Sequence, residues 1–180
     1  MDISKFENKQ RIFWFEFASL VFCLVFSVIN HFIFEWTGES LLFAPFVPTN
    51  ESVWEHSKLL FIPFLFFSII EYFFLKDNKN FIFAKSLPLV VAIPLMITFF
   101  YTYSGILGFH VVVLDIMLSL TIVLLMNLVS YKILTCKKTY SSKILFALAI
   151  ITFVLIILFT FIQPKIALFL DTTTGTYGIN

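Results

Sequence analysis

Charge is what this sequence has least of. Asp, Glu, Lys and Arg make up 13% of the 180 residues, about half of the ~25% found in an ordinary soluble domain. Arginine is confined to Arg11. The net charge of +1 gives no electrostatic footprint for nucleic acid, so no nucleic-acid partner is expected. Cysteine is equally sparse. Cys23 falls inside an apolar run and Cys136 in a basic stretch, so no disulfide is expected. There is no His-x-x-x-His pair, no Gly-x-Ser-x-Gly elbow and no Cys-x-x-Cys. No local spacing therefore fixes a metal or a nucleophile, and nothing reads as a nucleotide, haem or flavin site. Internal repeats and low-complexity linkers are missing too.

What replaces the missing charge is hydrocarbon. Hydrophobic residues are 60% of the chain, 26 of them phenylalanine, and the mean hydropathy is +0.99. A membrane-spanning helix needs about 20 mainly apolar residues. By that measure the chain is an all-α bundle of five transmembrane helices in one membrane domain, 1–180, spanning at 13–34, 59–75, 86–103, 110–131 and 144–163. The first run is longer than a secretory signal core and no Ala-x-Ala site follows it, so it reads as a retained helix. Residues 41–48 are apolar but short and carry Pro45 and Pro48, which suits an interfacial segment. The last residues, 165–180, form a polar tail rich in Thr and Gly, either folded back as a lid or frayed.

Lysine and arginine fix the expected orientation. Ten of them (5, 9, 11, 76, 79, 85, 132, 137, 138 and 143) fall on one side of this topology, against Lys58 and Lys165 on the other. The reading is a multi-pass protein of the plasma membrane, its N-terminus cytosolic and its C-terminus outside. Glu16 and Glu71 then sit close enough to the cytosolic interface to reach it by snorkelling, as Lys58 does outside.

The most polar stretch stands at the head of the second span: Asn50-Glu51-Ser52-Val53-Trp54-Glu55-His56-Ser57-Lys58. Asn50 and Ser52 are good N-caps, Ser52-x-x-Glu55 has the form of a capping box, and Trp36 and Trp54 suit interfacial anchors. Caps and anchors do not account for everything there. His31, His56 and His110 all fall at the outer ends of spans, with Glu51 and Glu55 on the same side. Asp115 lies about 7.5 Å deeper than His110 at ~1.5 Å per residue, and needs a partner such as His31, His56 or Lys58. Ionisable groups at such depth mark function.

Two chemistries fit. In one, His31, His56 and His110 ligate zinc or a similar divalent metal, and Glu55, Asp115 or Glu51 serves as base in hydrolysis of a lipid or membrane-embedded substrate. In the other, the same residues relay protons or bind a small solute in a transporter, channel or accessory subunit. In both, the bilayer itself is a partner.

These residues also carry a resemblance. Asn30-His31 with Glu35-Trp36, the Asn50–Lys58 motif and the tail Asp171…Gly175-x-Tyr177-Gly178-Ile179 resemble an uncharacterised family of small bacterial polytopic membrane proteins. That resemblance implies a membrane topology and no reaction. Alkaline-ceramidase-like hydrolases and prenyl-endopeptidase-type proteases offer similar kinds of site. The present chain lacks the seven helices and paired C-terminal histidines of the first, and the adjacent glutamates and arginine of the second.

Overall fold

Backbone buried in hydrocarbon must satisfy its own hydrogen bonds, and a helix does so within one segment. A computed structural model describes residues 3–179 of the chain. It comprises α1 (Ile3–Trp36), α2 (Val53–His56), α3 (Lys58–Leu75), α4 (Phe81–Leu107), α5 (Val112–Leu134) and α6 (Lys143–Phe161), then a 3₁₀ turn at Ala167–Phe169. Met1, Asp2, Asn180 and the side chain of Lys5, which entered the charge asymmetry, lie outside the described residues. Among the described residues there is no strand, only an isolated antiparallel bridge between Leu170 and Tyr177.

Among the described residues, five helices are long and apolar enough to cross a membrane: Asn8–Trp36, Val53–Leu75, Phe81–Leu107, Val112–Leu134 and Lys143–Phe161. The second of them joins α2 to α3 through Ser57, which itself has helical dihedrals. The expected all-α fold class is the observed one, and it suits a multi-pass membrane protein. Helix α4 packs against α3, α5 and α6, while α1 packs against α3 and α5. Their shared core runs through Cys23, Phe61, Phe64, Met96, Ile122 and Ile156.

Proline explains how α1 is fastened to α3. Pro63 lies inside α3 and has no N–H to give the carbonyl of Leu59, one turn earlier. The Ser27 hydroxyl of α1 donates to that carbonyl at 2.5 Å. Ser27→Ala should therefore leave a partly buried carbonyl without a donor and lower the unfolding free energy by about 1–3 kcal/mol. Ser68→Ala is the control, because the Ser68 hydroxyl bonds only to Phe64 within its own helix. Thermal unfolding in detergent should show a clear loss for the first change and little for the second.

Charges that the sequence assigns to the membrane surface are found inside. Glu16 and Glu71 do not snorkel; both are buried, as is Lys85, which had entered the surface charge count. Lys85 Nζ donates to Glu16 Oε1 at 2.7 Å and pairs with Glu71 Oε2. Ser130 of α5 donates to the same Glu16 oxygen at 2.6 Å. The partners come from α1, α3, α4 and α5, so only the assembled bundle brings them together. Lys58 is also buried, not snorkelling, and Trp54 is no interfacial anchor: it is buried against Phe159 and Phe169. Trp36 is exposed, as an anchor should be.

The polar tail is docked. Asn50 Nδ2 donates to the Gly178 carbonyl at 2.9 Å, and the Gly178 amide donates to Gln163 Oε1 at 2.7 Å. Asp171 makes the turn that allows this, its Oδ1 accepting from the amides of Thr173 and Thr174 at 2.7 and 3.2 Å. Burial alone would raise the Asp171 carboxyl, but those amides, together with hydrogen bonds from the Thr174 side chain and the Glu51 backbone, hold the group low.

Candidate functional site

The Asn50–Lys58 motif folds as two layers, one fully buried and one partly exposed. Ser52 is extended and caps α2, its Oγ accepting from the Glu55 amide at 3.3 Å. The reciprocal half of the capping box is absent. The Ser52 amide donates instead to Asn50 Oδ1 at 3.0 Å, which frees the Glu55 side chain. That side chain turns inward and is fully buried. Its Oε2 accepts from Lys58 Nζ at 2.6 Å, Thr49 N at 2.9 Å and Thr49 Oγ1 at 3.0 Å. Lys58 also donates to the carbonyls of Ala44 and Val47 at 2.8 and 3.0 Å. The inner layer thus pins residues 41–48 to the helix end. Asn30 adds a further bond to the Phe46 carbonyl at 3.2 Å.

The outer layer brings together His31, Glu51 and His56. His31 reaches it from α1, His56 from the end of α2, and Glu51 from the loop just before α2. Glu51 therefore stands outside the helix that carries Glu55. His31 Nε2 lies 3.3 Å from His56 Nε2. Glu51 Oε2 lies 3.8 Å from the first and 3.4 Å from the second. The three donors form the one potential metal-ligating group of this size among the described residues.

The proton bookkeeping of His56 follows from its neighbour. His56 Nδ1 lies 2.9 Å from the Ser52 carbonyl, which can only accept, so Nδ1 carries the hydrogen. In the neutral ring Nε2 then presents a lone pair. That lone pair points toward a carboxylate oxygen and a second imidazole nitrogen, an arrangement favourable to a cation among them. A proton on His56 Nε2 can supply it, and hydrogen bonding from His56 holds the Glu51 carboxyl below its ordinary range, against the opposing effect of burial. A divalent metal can supply it equally well.

The remaining expected site residues lie elsewhere. Asp115, in the first turn of α5, takes the Tyr103 hydroxyl of α4 and His110 Nδ1, the latter at 3.2 Å. It does not pair with His31, His56 or Lys58, although it is within electrostatic reach of His56. His110 is bound up with Asp115 and is not a member of the trio. Tyr103 was missed by the sequence reading, and so was the Glu16–Glu71–Lys85 cluster.

The structure thus offers a His/Glu site at the end of the bundle where α1 meets α2, with its donors between half-buried and exposed. No curated protein and no solved structure matches the chain. A family model described as "Family of unknown function (DUF6512)" matches residues 1–179, nearly the full length, and the chain belongs to that family.

Proposed function

We propose that His31, Glu51 and His56 hold a divalent metal, with zinc the ion that suits them best, and that the chain is a membrane-embedded hydrolase of a lipid or membrane-buried substrate. One observation carries this reading. Ligands at ~2.0–2.2 Å from a tetrahedral metal stand about 3.3–3.6 Å apart, and the three donor atoms here are separated by 3.3, 3.4 and 3.8 Å. Two imidazoles and one carboxylate form the three-ligand set of hydrolytic zinc sites, which keep their fourth position for water. The bond from His56 Nδ1 to Ser52 adds the outer contact that fixes a ligating tautomer. A metal bound there supplies an acidified water and a Lewis acid.

The roles of the other residues narrow accordingly. Glu55 is committed to Lys58 and Thr49, so we assign it to positioning the loop, not to proton transfer. Asp115 is the carboxylate left for that role, with His110 and Tyr103 as its hydrogen-bonding partners. We also retain the plasma-membrane orientation with the N-terminus cytosolic. Setting aside the buried Lys85 and Lys58 leaves nine cations against one across the bundle.

Elemental analysis of detergent-purified protein tests the reading. About one zinc or similar ion per chain is expected in the wild type, with none in His56→Ala and little in Glu51→Gln; lipid-substrate screens then follow. No metal in the wild type after supplementation sinks the hydrolase. The trio would then be an imidazolium–carboxylate pair, the proton-relay arrangement of a carrier or channel, and transport assays would take over.

A further inference from the structure

The Glu16–Glu71–Lys85 cluster is far from the proposed metal. Along α1, Glu16 and His31 are fifteen residues apart, about 22 Å at ~1.5 Å per residue. The cluster is built like a site. It is buried, its members come from different helices, and Glu16 Oε2 and Glu71 Oε1 have no hydrogen-bond partner among the described residues. Buried polar atoms in native proteins are rarely left that way.

Its charges do not balance. Glu16 and Glu71 each pair with Lys85, and among the described residues no second cation pairs with either. The nearest alternative on α1, Arg11, donates instead to the Phe74 carbonyl at 2.8 Å. From α5 the cluster receives only the neutral Ser130 hydroxyl. The Phe64 and Phe81 rings face the ammonium with their centroids at 5.3 and 5.9 Å and add no charge. Cys23, buried in the neighbouring core, brings no cation to the cluster. Two carboxylates against one ammonium leave a net −1 in a medium where an uncompensated charge costs several kcal/mol.

We propose that Glu16, Glu71 and Lys85 form a proton-binding site in which the two carboxyl groups share one exchangeable proton across the Lys85 ammonium. The chain thus holds a protonatable centre in the half of the bundle opposite the histidine site. Ser19, Cys23 and Ser27 continue the same stripe of α1 from Glu16 toward His31. This is the placement that proton uptake from the side of the α1 amino end requires. The proposal does not depend on whether a metal sits at His31, Glu51 and His56.

Infrared spectroscopy of the reconstituted full chain, made with isotopically labelled glutamate, tests it. The wild type should show one protonated glutamic carboxyl per chain at neutral pH, disappearing on alkaline titration. Glu71→Gln and Glu16→Gln should each abolish that band, because the surviving carboxylate then balances Lys85. Glu35→Gln, at an exposed position, should leave it unchanged. A wild type without a protonated glutamate overturns the proposal, and so does a band that survives either triad substitution. If one triad variant fails to fold, the other still decides.

Discussion

Replacing Lys58 with methionine is expected to cost about 3–5 kcal/mol of folding free energy, the penalty for stranding one member of a buried ion pair. Lys58 and Glu55 are both fully buried, 2.6 Å apart. Methionine preserves most of the volume and removes the charge. Glu55 would keep its two bonds from Thr49 but lose its counter-charge, and the carbonyls of Ala44 and Val47 would each lose a donor. Residues 41–48 should loosen together with the helix end.

The double variant Lys58→Met with Glu55→Gln separates charge from shape. An amide at position 55 can still accept from Thr49 and is no longer a stranded ion. The double change should recover more than half of the loss, a coupling of at least ~1.5 kcal/mol between neighbours. The measurement is the unfolding midpoint of the four proteins in one detergent. If Lys58→Met alone stays within about 0.5 kcal/mol of the wild type, as surface substitutions do, the pair is not buried as described.

The parts of the molecule legible in the sequence were those encoded locally. Five apolar runs gave five spanning helices, because each run satisfies its backbone within itself. The Asn50–Lys58 motif stood out for the same reason: its caps are neighbours in the chain. Pairings across the bundle left no such mark. Lys85 bonds to Glu16 across 69 residues, and Ser130 reaches it across 114. A lysine near the end of a span looks the same in sequence whether it points to water or to a glutamate on another helix. The three histidines share one end of the bundle, which the hydropathy pattern could reveal. Which of them converge depends on how α1 is rotated against α2 and α3, and that is set by contacts such as Ser27 with Leu59. His110 precedes α5, and its partner Asp115 is only five residues on, so it closes a local pair before any metal could claim it.

Metal binding by His31, Glu51 and His56 should be steeply dependent on pH, and the slope counts the ligands. An imidazole ligates only when neutral, so binding must expel one proton from each histidine that is protonated in the free protein. At pH values low enough that both rings are protonated in the free protein, two histidine ligands make the apparent affinity fall about a hundredfold per pH unit. Glu51 adds nothing to the slope in this range. Its carboxyl is held below the ordinary range by His56, so it is ionised throughout, and its effect appears only at still lower pH. The sign is thus one of affinity rising with pH and levelling off once both rings are neutral. Zinc competition titrations of the purified protein between pH 5 and 8 would measure it. A slope that reaches two at the acid end supports ligation by both His31 and His56, whereas one that never exceeds tenfold per unit leaves one histidine in the site. In His31→Gln the slope should drop to one while the plateau affinity also falls. A flat profile would mean that carboxylates elsewhere hold the ion, and the convergence of these three donors would then serve the proton alone.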